Sequence, residues 1–242
     1  MNPPANVLLP SLVEIKDWVK SNPWLFYLAS RNNYREGLLK RAVDPSCDIV
    51  IEGFPRSANS FCVMAFQMAQ KHPIRIANHC HTASQFILAS KWNIPALLLI
   101  REPRAVTLSN LLYFPGSSAN EVLRRYIRFH RSLLKLRSTI MVADFSDVTA
   151  DFGKVMVALN RRFGTDFIPF NHTEASVGLV RQKLEVITEK WRQKRTAIGA
   201  MPSDLKTVAK ASLQDHLKCA ECELLLREAA ELYSELHCAE TG

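Results

Sequence analysis

The sequence predicts an α/β fold, a single parallel sheet with helices on both faces and a helical region after it. Three observations carry the prediction. The runs DIVIEG (48–53), ALLLIR (96–101) and TIMVA (139–143) are short, apolar and rich in β-branched residues, as strands buried on both faces are. Longer segments with apolar residues at helical spacing lie between them, and that alternation builds parallel sheets with crossover helices. From Glu174 onward the pattern is helical and no strand signal returns.

The elements follow in chain order. Residues 11–42 read as helical, with Leu12, Ile15, Trp18 and Val19 on one face and Leu38 and Leu39 later. The first strand, 48–53, runs into the loop FPRSANS and a helix over 60–71. A short strand over 74–78 precedes a segment, 82–92, with Ala83, Phe86, Ile87 and Ser90 at helical spacing. After the strand at 96–101 come helices at 105–113 and 119–136, the strand at 139–143 and a helix over 148–163. Leu184, Ile187 and Trp191 mark one C-terminal helix, and Leu213, Leu217, Leu224, Leu232 and Leu236 mark another. Between them TAIGAMPSD supplies Gly199 and Pro202 as breakers and Ser203 as an N-cap. No repeat or low-complexity linker divides the chain. It reads as one domain over 1–242: an N-terminal helical segment (1–45), an α/β core (46–170) and a helical C-terminal region (171–242).

Composition excludes whole classes. With 48% hydrophobic and 22% charged residues in 242, the chain is neither disordered nor collagen-like, and it is long enough to bury a core without disulfides or metal. The net charge of +8 points to an anionic partner: nucleic acid, an acidic surface or a small polyanion such as a nucleotide. The basic run Lys183–Lys194 reads as a solvated helix face, and Trp191 beside Arg192 and Lys194 as a packing residue, so no nucleic-acid partner is expected. The N-terminus lacks a charged n-region and its apolar stretch is broken by Pro10, and no apolar run of membrane-spanning length occurs. The six cysteines are therefore expected to be free thiols and the protein cytoplasmic.

The strand–loop–helix at 48–71 carries the strongest chemical signal. Phosphate-binding P-loops read G-x-x-x-x-G-K-[ST] after a strand. Here Gly53 and Ser60 match, Pro55, Arg56 and Ser57 lie inside the loop, Ala58 replaces the second glycine and Asn59 replaces the lysine. The amides at a helix N-terminus cradle phosphate without a lysine. The missing lysine counts against an ATPase or kinase, and the expected fold is P-loop NTPase-like. A second anion element follows the strand ALLLIR: Arg101 ends it, at the sheet edge where ligands of open α/β sheets bind, and Ser109 lies eight residues on. Arginine offers a bidentate fork and serine a further donor. Two phosphate sites at one sheet edge suit a nucleotide with phosphate at both 5′ and 3′ positions.

GFPRSANSF resembles the 5′-phosphosulfate loop of the P-loop sulfotransferases, and LLIREPRAVTLS resembles their 3′-phosphate element. VADFSDV is similar to the family's acidic segment before a helix. The resemblance spans 48–165. It implies 3′-phosphoadenosine 5′-phosphosulfate (PAPS) as sulfuryl donor, adenosine 3′,5′-bisphosphate (PAP) as product and no metal. It further implies Arg56 on the bridging and sulfuryl oxygens, Ser57, Asn59 and Ser60 with the backbone of the loop Pro55 to Ser60 (Ala58 included) around the 5′-phosphate, Arg101 and Ser109 on the 3′-phosphate, and Phe61 against adenine. Arg195, in Lys194-Arg195 before Gly199, is a candidate for the element that closes over the 3′-phosphate.

Sulfuryl transfer to an acceptor hydroxyl (or amine) needs a base for the acceptor proton, and histidine titrates in the right range. RIANHCHTASQF puts His79 and His81 at the end of the second strand, two apart and so on one face. His81, next to the following helix, is the first choice and His79 the second. HLKCAEC contains a C-x-x-C; zinc would need ligands from His216 or His237-Cys238, and without a neighbouring strand Cys219 and Cys222 read as buried thiols on one helix face. The acceptor is an unidentified small molecule, carbohydrate or lipid, its pocket shaped by FPGSSAN (114–120) and the region after Glu174. Two alternatives stay open: a non-catalytic nucleotide- or polyanion-binding protein, and a small-molecule kinase with an altered loop.

Overall fold

A computed structural model describes residues 19–30, 41–114, 116–192 and 213–238. At its centre is a four-stranded, all-parallel sheet of order β2-β1-β3-β4, formed by β1 (Ile49–Gly53), β2 (Ile76–Ala77), β3 (Ala96–Ile100) and β4 (Met141–Asp144). Every residue of the four strands is buried, which is why their sequences read as unbroken apolar runs. Alternate positions feed two separate cores. Val50, Leu98, Ile100 and Val142 face α1 (Pro23–Ser30), α3 (Ser84–Lys91), α4 (Pro103–Tyr113), α5 (Ala119–Leu133) and α8 (Ala220–His237). Ile49, Ile51, Leu97, Leu99 and Met141 face α2 (Asn59–Ala69), α6 (Phe145–Phe163) and α7 (Glu174–Arg192). This is the parallel α/β class, with helices on both faces.

Local chemistry sets the boundaries. Glu102 caps α4 by accepting from the amides of Arg104 and Ala105, and Ser118 and Glu121 form a reciprocal capping box on α5. Asp144 ends β4 and caps α6 through the Ser146 amide. Gly53 ends β1 where only glycine fits, because a Cβ there would lie 2.3 Å from the Leu99 carbonyl oxygen.

Several expectations change. The second strand shrinks to two residues because Asn78 leaves the sheet to bridge Arg41 in antiparallel sense, which also ends the N-terminal helical reading before Arg41. Helix α2 starts at Asn59 and ends at Ala69. The helix expected over 119–136 finishes in a 3-10 turn, Leu134–Leu136. The last leucine pattern divides: Gln214–Leu217 is a 3-10 turn and α8 starts afresh at Ala220, with Leu217, Leu232 and Leu236 buried but Leu224 on the exposed side. The expected N-cap Ser203 lies outside the described residues, as do 11–18 and 31–40 of the N-terminal pattern.

Candidate functional site

The carboxyl ends of β1, β2 and β3 meet at the loop Phe54–Ala58. Phe54 anchors its start, buried against Tyr126 with ring centroids 5.3 Å apart. The loop then takes two left-handed residues, Arg56 (φ 77) and Ala58 (φ 68). Positive φ at alternate residues turns successive amides toward one side, the geometry of an anion-binding nest. Ala58 is the N-cap of α2 and supplies no side-chain cap to its first turn. The Ser57 hydroxyl is fully buried and has no hydrogen-bond partner. An orphan buried donor beside an uncapped helix start is what a phosphate would satisfy.

Neighbouring elements brace this loop. Asn110 donates from Nδ2 to the Pro55 carbonyl at 3.0 Å, and Arg101 donates from Nη1 to the Arg56 carbonyl at 2.8 Å. Arg101 also lies over the Phe145 ring at 3.8 Å, and its own carbonyl accepts from the Tyr126 hydroxyl at 2.9 Å. The Arg56 guanidinium covers the Tyr113 ring at 4.3 Å and donates from Nε to Ser109 Oγ at 3.2 Å. Arg56, Arg101 and Ser109 are thus brought together from three segments. Burial lowers the pKa of Arg56; burial and then the Arg56 charge bring Arg101 down to about 10. Two neighbouring, largely buried cations are costly without an anion.

Two histidines border the start of the loop and of α2, His81 on the Gly53 carbonyl and His79 on Ser60. Neither belongs to the strand, so the shared-face argument from strand periodicity does not apply: His79 (φ 54) and His81 (φ 51) are both left-handed residues in the turn after Asn78. His79 Nδ1 lies 2.8 Å from Asn78 Oδ1 and its Nε2 3.1 Å from Ser60 Oγ. His81 Nδ1 lies 2.8 Å from the Gly53 carbonyl and 3.1 Å from Glu52 Oε1. Both of those oxygens only accept, so Nδ1 carries the hydrogen, and neutral His81 keeps its lone pair on Nε2. With 27% of its side chain exposed, His81 is reachable. The rings are 5.6 Å apart, edge to face.

The sequence reading missed Glu52. Its side chain is wholly buried in β1, yet it accepts from the amides of Cys80 (2.6 Å), His81 (3.0 Å) and Gly53 (3.1 Å) as well as from His81 Nδ1. Burial raises its pKa, but His81 and His79, with the His81 amide, overcome that and leave it below its ordinary value. The signal was present: a lone carboxylate inside an apolar strand buried on both faces must have partners.

Other expected site residues have partners of their own in the structure. Asn59 braces the loop by donating from Nδ2 to the Phe54 carbonyl at 3.0 Å, so its side-chain donor turns inward rather than toward a ligand. Phe61 is 7% exposed and packs edge-on against Phe152 and Phe170; it offers no face for a base to stack on. Ser109 serves Arg56 rather than forming a separate pair with Arg101. Arg195 lies outside the described residues. Among the described residues there is no cluster of three or more metal-ligating side chains and no helix long and apolar enough to cross a membrane.

Fold and site together define a parallel α/β protein with a left-handed loop, a half-buried arginine pair and a carboxylate-held histidine at one sheet edge. No family model and no curated protein matches the sequence. Among solved structures, the chain is similar to mouse sulfotransferase SULT7A1 complexed with PAP, at 9% identity and a TM-score of 0.41, over 78% of this chain and 90% of that one. The residues of the site, rather than this likeness, carry the functional reading.

Proposed function

We propose that the protein is a sulfotransferase that moves a sulfuryl group from PAPS to an acceptor hydroxyl. The convergence of Arg56, Arg101 and Ser109 on the left-handed loop, which begins beside a histidine held on the Gly53 carbonyl with Nε2 as its lone-pair nitrogen, carries this reading. The loop amides and the orphan Ser57 hydroxyl receive the 5′-phosphate. Arg101 and Ser109 receive the 3′-phosphate. A 3′-phosphate on Ser109 frees the Arg56 guanidinium from that hydroxyl for the bridging oxygen. His81 Nε2 takes the acceptor proton as the acceptor oxygen bonds to sulfur and the sulfur–phosphate oxygen bond breaks. Arg56 balances the charge that grows on the departing phosphate, which is where preorganised cations act most.

His81 is favoured over His79 because both nitrogens of His79 are engaged, by Asn78 and Ser60. His81→Ala lowers turnover by about two to four orders of magnitude, the usual scale of general-base loss, with PAP affinity nearly unchanged. Calorimetry with PAP tests the whole reading. Saturable binding supports it, and no heat at millimolar PAP overturns it. Binding that instead falls steeply with salt and shows no preference for the bisphosphate would mark a general polyanion binder, the alternative favoured by the +8 charge.

A further inference from the structure

The C-x-x-C segment stands apart from this site and has a different arrangement from the buried pair its spacing suggests. Cys219 is the N-cap of α8, an 18-residue helix, and is exposed; Cys222, one turn on, is buried. The Cys219 sulfur accepts from the Cys222 amide at 3.2 Å, as a capping hydroxyl would, and so hangs over the residue that carries the second sulfur. Asn120 of α5 fixes both thiols: its Oδ1 lies 2.7 Å from Cys222 Sγ and 3.8 Å from Cys219 Sγ. The Cys222 sulfur also faces the His216 carbonyl at 3.4 Å.

We propose that Cys219 and Cys222 form a redox-active dithiol that exchanges with low-molecular-weight disulfides such as oxidised glutathione. The geometry assigns the roles. Cys219, exposed and at the positive end of the helix, is the attacking thiolate. It displaces one glutathione thiolate and forms a mixed disulfide. Cys222, held beside it, loses its proton to solvent and attacks the Cys219 sulfur, releasing the second glutathione thiolate. Two protein thiols are oxidised, one small disulfide is reduced to two thiols, and no metal or other oxidant is needed.

The charged surroundings agree with that order. Hydrogen bonds from the Cys222 side chain and amide lower the pKa of Cys219, whereas burial and the neighbouring Cys219 raise Cys222 to about 11. Glu221, the acidic group beside both, is engaged by Arg124 and Asn120 of α5, and Asp215 by Lys218. His216 contributes only its carbonyl to the pair. Closing the disulfide takes the Cys222 hydrogen away from Asn120, so the reduced and oxidised forms hold the start of α8 on α5 differently. The inference is independent of the sulfotransferase reading.

The test is incubation of the full chain with oxidised glutathione at neutral pH, followed by mass spectrometry and peptide mapping. The expected product is an intact chain two hydrogens lighter with Cys219 joined to Cys222. Cys222→Ser should stop at a stable glutathione adduct on Cys219, and Cys219→Ser should leave Cys222 unmodified. A wild-type product that keeps glutathione on Cys219, or a disulfide through the exposed Cys238 instead, overturns the proposal. Far-UV circular dichroism of both serine variants checks that they are folded. Should a variant unfold, the alkylation rate of wild-type Cys219 against pH decides instead. A midpoint below that of an ordinary thiol supports the attacking role; a midpoint at or above it refutes it.

Discussion

Glu52→Gln isolates what the buried carboxylate does for His81. Oε2 of Glu52 takes the amides of Cys80 and His81, so the glutamine oxygen must turn to that side to keep them. Its NH2 then occupies the place of Oε1, facing the Gly53 amide and the hydrogen on His81 Nδ1. Donor meets donor, and the imidazole is pushed toward the tautomer with hydrogen on Nε2, which has no lone pair there to take the acceptor proton. The Gly53 carbonyl, 2.8 Å from Nδ1, resists that change. The loss should therefore fall below the roughly 10⁴-fold of a fully inverted catalytic histidine. About 10²–10³-fold in turnover is expected, or roughly 3–4 kcal/mol of transition-state stabilisation. PAP affinity should hold within about twofold, since Glu52 bonds to none of the groups proposed to hold phosphate. Steady-state kinetics, calorimetry and the imidazole nitrogen shifts of His81 read the three effects. A double-mutant cycle decides the mechanism: if Glu52 acts through His81, adding Glu52→Gln to His81→Ala costs nothing further. The same loss in both backgrounds would refute the reasoning.

Three other outcomes are expected. Ala58→Gly should stabilise the protein, because an alanine in the left-handed region costs about 1–2 kcal/mol and glycine returns about 0.5–1 of that as chain entropy; the melting temperature should rise by about 1–4 °C, and a fall would contradict the strain. His130 is buried with Nε2 unpartnered and its Nδ1 on the Tyr126 carbonyl, and burial brings its pKa to about 4 from 6.5. A histidine whose folded pKa is depressed stabilises above its unfolded value and loses that contribution as pH falls. Wild type should therefore lose roughly 3 kcal/mol relative to His130→Phe between pH 6.5 and 4, measured by urea unfolding at each pH. Arg56→Ala should lower turnover more than PAP affinity in parallel kinetic and binding measurements, and the opposite ranking would move Arg56 from the transition state to donor binding.

Much of this fold could be read in advance because its signals are local. Apolar runs, turn residues and helical spacing locate β1, β3 and β4 to within two residues at each end. Most of the failures share a cause, a partner distant in sequence. Asn78 leaves the strand because Arg41 pairs with it; Leu224 is a local exception, facing out because the helix starts afresh at Ala220 behind its N-cap Cys219. In the site, residue types were legible but not their partners. Nothing near Phe61 in sequence reveals Phe152 and Phe170, and nothing near Ser109 reveals Arg56. The left-handed turns at His79 and His81 were hidden because neither residue is glycine or asparagine.

Those turns belong to a wider pattern. Arg56, Ala58, His79 and His81 are four of the five non-glycine residues with positive φ among the described residues, and all four border one sheet edge. Such conformations persist only where surroundings over-determine them, and they concentrate at functional sites. Here the surroundings are the Glu52 acceptors, the Asn110 brace and the Arg101 donor on the Arg56 carbonyl. Arg101 is itself destabilised: a pKa brought from 12.5 to about 10 by burial and the Arg56 charge corresponds to roughly 3 kcal/mol at neutral pH. Its charged hydrogen bond returns roughly 1.5–3 kcal/mol and the Phe145 face roughly 0.5–2. Set against roughly 3 kcal/mol of cost, these returns leave a balance of at most about 2 kcal/mol, so Arg101→Met should lose no more than about 2 kcal/mol of unfolding stability, although buried ionic groups are ordinarily costly to replace singly. PAP binding should fall at least tenfold in the same variant. An arginine kept for the fold would show the converse, a loss of several kcal/mol in urea unfolding with PAP affinity intact, and that result would remove Arg101 from the anion site.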